Sequence, residues 1–186
     1  MKAFFGGIIF VAACLLIAGL LFVFSGIYNV GADVPHWGLT FAILDATRER
    51  SIEVHSSDIS VPSLDDPGLT TIGIPHFHEM CRLCHGAPGY ERTEFAEGLY
   101  PYPPHLDGAE LQKELSNAEL FWVVKHGLKM SGMPAFGGTH DDHTLWGVVA
   151  FVRQLPRLSV KGYKNAVRGV RHHEMGEEES DHHDQR

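Results

Sequence analysis

The chain has 186 residues, 44% hydrophobic and 20% charged, which suits one compact domain with appendages and is too apolar for a disordered chain. Three cysteines are too few for a disulfide framework, so cysteine usage says nothing about compartment. A formal net charge of -8, with the one basic strip a short one, argues against nucleic acid as a partner.

The first element, within residues 1–30, is an apolar run from Gly6 to Tyr28 with no charged residue. About 23 residues at a helical rise of about 1.5 Å match a hydrocarbon core of about 30 Å, so residues 6–28 are expected to contact membrane lipid as a transmembrane helix. A cleavable signal peptide has a shorter apolar core followed by a small-x-small site, and no A-x-A sequence follows this run, which favours an uncleaved anchor. Val11-Ala12-Ala13-Cys14 resembles a lipoprotein cleavage box, but the apolar run continues well past Cys14, and a small hydrophobe suffices to explain that residue. Lys2, the one charge before the span, gives a weak preference for a cytoplasmic N-terminus and an exported remainder.

Residues 31–72 are expected to be a juxtamembrane helix and tether. Asp33-Val34-Pro35-His36 has the form of a helix start, after which Trp37, Phe41 and Leu44 share a face, with Arg48, Glu49 and Arg50 closing the segment. Such a face suits a membrane surface or a partner subunit. From Ser51 to Thr71, Pro62, Pro67, Gly68 and several Ser and Asp residues read as an extended tether.

Residues 73–158 carry the chemistry. In Cys81-Arg82-Leu83-Cys84-His85 two cysteines are spaced two residues apart and followed directly by histidine, the attachment pattern of a covalent c-type haem. Each thiol can add across one haem vinyl group while the adjacent imidazole reaches the iron. A thioredoxin-like redox pair or half of a zinc site would share the CxxC, but no second CxxC exists and no βαβ pattern surrounds this one. Ile74, Phe77, Cys81 and Cys84 fall on one face of a helix that Gly86 ends, with Pro75 in its first turn. Asp107 with Glu110 and Ser116 with Glu119 mark two further helix starts. The second of these opens a helix over 117–126 that Gly127 stops. A last helix over about 141–155 places Leu145, Val148, Val149, Val152 and Leu155 on one stripe before Pro156. The expected fold is all-α, about four short helices around one haem.

A second axial ligand is needed. Met133, in the loop Gly132-Met133-Pro134-Ala135-Phe136 between the third and last helices, is the leading candidate; Met130 is its near competitor and His126 a distant one. The segments CRLCHG, LYPYPP, KHGLKMSGMPAF and WGVVAFVRQL together resemble, over roughly residues 73–157, a membrane-anchored class I c-type cytochrome with a single haem. The resemblance implies His85 and Met133 as the axial pair, one covalent haem c on Cys81 and Cys84, and a carbonyl of the 100–104 loop, or of Pro88, accepting the proximal imidazole's hydrogen bond. It also implies a haem domain on the periplasmic face of a bacterial inner membrane. The function expected is one-electron transfer rather than catalysis, with a respiratory oxidase, a quinol-oxidising complex or a dehydrogenase as partner. If Met133 does not bind the iron, a gas sensor or peroxidase becomes the alternative; a di-haem peroxidase would need a second CxxCH, which is absent.

Residues 159–186 lie outside the resemblance. Arg153, Arg157, Lys161, Lys164, Arg168 and Arg171 form a strip without an acid, and 172–186 then hold six acids against Arg186. His172, His173, His182 and His183 offer Cu or Zn ligands, but the composition fits a solvated acidic tail better. His76 and His78 are expected to be exposed beside the haem helix, and Asp141 and Asp142 to serve the start of the last helix.

Overall fold

A computed structural model describes residues 1–108 and 111–181, with side-chain detail as far as residue 170. The chain divides into two compact units, residues 1–35 and the remainder from His36. In the first, α1 (Lys2–Ser25) is ended by Gly26 in the left-handed conformation, and it is long and apolar enough to cross a membrane. None of its residues is buried against protein.

The second unit is helical throughout. Its elements are α2 (Gly38–Ser56), α3 (Pro67–His76), a π turn (Phe77–Cys81), α4 (Arg82–His85), α5 (Glu94–Glu97), α6 (Leu111–Glu114), α7 (Asn117–His126), α8 (Asp142–Gln154), a 3-10 turn (Leu155–Arg157) and α9 (Val160–Asp181). Among the described residues there is no strand, only an isolated bridge between Ala87 and Tyr90.

The helix that carries the cysteines starts earlier than Gly73. Asp66 caps it, its carboxylate accepting from the Gly68 amide, and Pro67 occupies the first helical position where no amide is needed. Leu69 and Thr70, which had been assigned to the tether, are buried. Pro75 therefore lies inside the helix rather than at its start, and the backbone widens into the π turn directly after it. The turn ends at Cys81, and Gly86, at φ 70, stops α4 just after His85.

α3 and α8 cross at glycines. A Cβ on Gly73 would lie 2.0 Å from the Gly147 carbonyl oxygen, and one on Gly147 would lie 2.7 Å from that of Leu69, so the backbones touch. Around the crossing, Phe77 meets Phe151 edge-on with centroids 5.4 Å apart, and Phe121 stacks on Trp146 at 4.1 Å, joining α7 to α8. α8 buries the expected stripe, and Asp141 caps it through the Thr144 amide. α7 has the expected capping box between Ser116 and Glu119. The start expected at Asp107 with Glu110 falls partly outside the described residues, and the helix described there is α6.

Two segments expected to hang off this core instead pack on it. α2 continues through Ser51–Ser56, where a tether was expected, because Ile52 and Ser56 are buried and His55 lies against Trp122 of α7, centroids 5.7 Å apart. Its first turns are different: Trp37, Phe41 and Leu44 remain exposed. α9 packs on α3 through Tyr163, which is fully buried, and Val167. The Tyr163 hydroxyl lies 2.9 Å from Nδ1 of His78, so His78 is a buried, hydrogen-bonded core residue and not the exposed one expected. Burial raises the Tyr163 phenol well above its ordinary pKa, so it stays neutral and available for this bond.

Replacing Gly73 with alanine forces a methyl group into the Gly147 backbone. The expected loss is about 3 kcal/mol of unfolding free energy, read from denaturant melts of the haem-loaded protein.

Candidate haem site

A cavity of about 900 Å³ lies between α4, the 99–104 loop, α7 and the 128–136 loop. That volume falls within the range of about 300–1,000 Å³ typical of cofactor sites, and the lining is mostly apolar. One wall is Cys81, Cys84 and His85. Across from α4's contribution come Leu120, Val123 and Val124 of α7, then Met133, Pro134 and Phe136 of the loop that follows it, with Val148 and Val152 of α8.

The local backbone explains why each donor reaches the cavity. Cys81 ends the π turn and Cys84 and His85 follow within a single helical turn, so the three lie close together on the cavity side. His85 Nδ1 lies 2.7 Å from the Pro104 carbonyl oxygen. A carbonyl can only accept, so Nδ1 carries the proton and Nε2 keeps its lone pair. Burial pushes the imidazole below its ordinary pKa, opposed by the hydrogen bond to Pro104 and aided by Arg92 and His105 nearby, so the neutral ring is favoured.

The Pro104 carbonyl is itself braced. Arg92 donates from Nη1 to the neighbouring Pro103 carbonyl, and its guanidinium lies 4.1 Å from the centre of the Tyr102 ring. Thr93 ties the same stretch back to α4 through two hydrogen bonds to the Leu83 carbonyl, 3.0 Å from the amide and 2.8 Å from the hydroxyl. The family resemblance implies an acceptor in the 100–104 loop or at Pro88, and in the fold it is Pro104.

Met133 and Met130 have different surroundings. Met133 is partly buried and lines the cavity; its amide is held by the Ser131 hydroxyl at 3.1 Å and its carbonyl accepts from Leu128 at 3.2 Å. Met130 is 85% exposed, sits at φ 59 at the tip of the turn and is absent from the lining. Gly127 makes room for this loop: it has φ 64, and a Cβ there would lie 2.7 Å from the Met133 carbonyl oxygen. His126 is exposed and packs on Trp122, away from the cavity.

The thiols are protonated. Burial, with a smaller push from Cys84, takes Cys81 up to about 12, and burial also raises Cys84. Buried, protonated thiols lack the thiolate character of a reactive redox pair and fit thiols awaiting addition to an apolar group. Among the described residues no group of three or more His, Cys, Asp or Glu could hold a metal ion. The Cu or Zn sites considered for His172 and His173 lack described side chains, and His182 and His183 lie outside the described residues.

The cavity also has a wall that was not anticipated. Arg48, Glu49, Ile52 and Glu53 of α2 line it, although the sequence placed them in a juxtamembrane segment. A signal existed in Ile52, an isolated apolar residue among charged neighbours one helical turn beyond Arg48, but it is too short to specify a partner. Arg92→Ala removes the brace on the proline loop and is expected to cost about 2 kcal/mol in a denaturant melt of the haem-loaded protein.

A family model described as "Cytochrome C oxidase, cbb3-type, subunit III" matches residues 70–152, a span from the first buried turns of α3 to the last buried turn of α8. No curated protein matches the chain. The all-helical fold, the CxxCH turn on an apolar cavity and this match together support a c-type cytochrome domain with covalent haem c over residues 70–152, preceded by an N-terminal apolar helix suited to membrane anchoring.

Proposed function

We propose that the protein is a one-electron carrier whose haem c is attached through Cys81 and Cys84 and ligated by His85 and Met133. The observation that carries this reading is that these four side chains line one apolar cavity, while Met130 and His126 lie outside it. Bound haem c supplies a ferric/ferrous couple. The chain's own residues do the rest. Cys81 and Cys84 fix the vinyl edge by two thioethers. His85 presents an unprotonated Nε2 because Nδ1–H donates to Pro104, which also sets the ring's orientation. Met133 offers a neutral thioether that the Ser131 and Leu128 contacts hold in the cavity wall. With His85 and Met133 both holding the iron, no coordination site would remain for a substrate, which suits a carrier and not a catalyst, and a His/Met pair would favour a high potential. Leu120, Val123, Val124, Val148 and Val152 exclude water from the site.

The helix α1 spans the inner membrane of a bacterium once, and residues from His36 onward lie in the periplasm, where c-type haem is attached. An anchored carrier stays at high effective concentration near its membrane partner. The match to a cbb3-type oxidase subunit favours a respiratory oxidase over a quinol-oxidising complex or a dehydrogenase as that partner. The exposed Trp37, Phe41 and Leu44 supply an apolar face suited to the membrane surface or to such a subunit.

Met133→Ala is expected to abolish the far-red methionine-to-iron charge-transfer band and lower the midpoint potential, whereas Met130→Ala leaves both unchanged; an unaltered band in Met133→Ala would assign the ligand elsewhere. In mild detergent, the tagged full-length protein is expected to carry an oxidase complex with it, and recovery with a dehydrogenase or a quinol-oxidising complex instead would correct the partner.

A further inference from the structure

The cavity wall formed by α2 lies outside residues 70–152, so nothing in the family match accounts for it. This helix is fastened at both ends. Before its first turn, the His36 amide donates to the Tyr100 hydroxyl at 3.1 Å, and the two rings meet edge-on at 5.0 Å, beside the proline loop that positions His85. Near its C-terminal end, Ile52 is buried and His55 rests on Trp122 of α7. α2 thus connects the His85 side of the cavity with α7, and between the two fastenings Arg48 and Glu49 line the cavity.

The charges on this wall are unbalanced. Glu49 and Glu53 of α2, Glu114 of α6 and Glu119 of α7 line the cavity, and among its described lining residues Arg48 is the one Lys or Arg. Arg48 is only partly committed. Its Nη2 lies 2.7 Å from Asp45 and 3.6 Å from Glu49, while Nη1 and Nε have no partner among the described residues. Its side chain is 46% exposed, so the pair with Asp45 is weak and easily exchanged. The other titratable groups on the two packed helices are accounted for: Glu53 is paired with Arg50, Glu119 is tied into its capping box, Lys125 is paired with Asp142, and His55 and His126 do not line the cavity.

Haem c brings two propionate carboxylates, on the edge away from the vinyl-derived thioethers. A carboxylate entering a cleft already lined by four others needs a cation with free donors. We propose that Arg48 is that cation: it binds a haem propionate through Nη1 and Nε, and α2 closes the carboxylate edge of the haem site from outside the cytochrome domain. The proposal rests on the haem reading above, and it makes Arg48 a positioning residue that sets the charge felt by the iron.

The test is redox titration of the full-length, haem-loaded protein against pH, comparing Arg48→Gln, Arg48→Lys and Arg157→Gln. Losing a cation near the propionate stabilises the ferric state, so Arg48→Gln is expected to lower the midpoint potential at neutral pH. It should also move the acid-side inflection of the potential up by about one pH unit or more, because a carboxyl without its cation protonates more readily. Arg48→Lys should restore most of both effects, and Arg157→Gln, an exposed cation of the 3-10 turn and off the cavity, should match the unaltered protein. An Arg48→Gln profile that superimposes on the unaltered one overturns the proposal. So does a shift that Arg48→Lys fails to restore, which would make Arg48 a packing residue. The haem reading fails separately: it would show as missing covalent haem or a missing far-red band in the unaltered protein.

Discussion

The backbone contact between Gly73 and Gly147 sets the position of everything at the site. Two helices that meet without side chains between them have little freedom to slide, because any larger residue at the crossing collides with a carbonyl. α3 is thereby fixed on α8, and the π turn and α4 that continue from α3 inherit its position. Cys81, Cys84 and His85 sit at the end of that continuous path, about two to three helical turns from the crossing. The Phe77–Phe151 and Phe121–Trp146 ring pairs then extend the fixed region to α7, whose inner face is the opposite wall of the cavity.

From this frame the ligand geometry follows by short steps. The Arg92, Tyr102 and Thr93 contacts hold the proline loop against α4, and the loop offers the Pro104 carbonyl to His85. The same bond chooses the imidazole tautomer. On the other side, Gly127 ends α7 in a conformation that a larger residue would adopt only under strain, and the chain turns at once into the segment bearing Met133. His85 on α4 is therefore held by a loop carbonyl and Met133 by the Ser131 hydroxyl and the Leu128 amide, an arrangement that keeps candidate ligands in place as an iron changes charge. Such a site has little to rearrange on gaining or losing an electron.

Much of the haem domain is legible in the sequence because its signals are local. CxxCH specifies a cofactor by adjacency, the Ser116/Glu119 box and Asp141 are short-range caps, and the stripe of α8 is strictly periodic. Met133 and Met130 are three residues apart and alike in chemistry; what distinguishes them in the fold is the left-handed turn at Met130, which turns that side chain into solvent. The Pro104 carbonyl could not be chosen because any carbonyl in a proline-rich loop looks the same until the Arg92 brace is known. His78 was misjudged because its partner, Tyr163, lies 85 residues away. The start of the cysteine helix was displaced because Pro75 reads locally as a first-turn proline, whereas tertiary packing of Leu69 and Thr70 extends the helix through it. The packing of α2 and α9 is faint in the sequence for related reasons: in α9 the spacing of Val160, Tyr163 and Val167 lies beneath the basic charges, while in α2 one buried apolar residue, Ile52, is joined only by Ser56 and the polar ring of His55.

The central claim is a saturated iron in a carrier, and carbon monoxide tests it most directly. With His85 and Met133 both bound to the iron as proposed, the ferrous full-length protein, unaltered and at neutral pH, should show no change in its visible spectrum under carbon monoxide. A Soret shift that saturates with the gas would contradict the account and make the protein a haem site open to ligands.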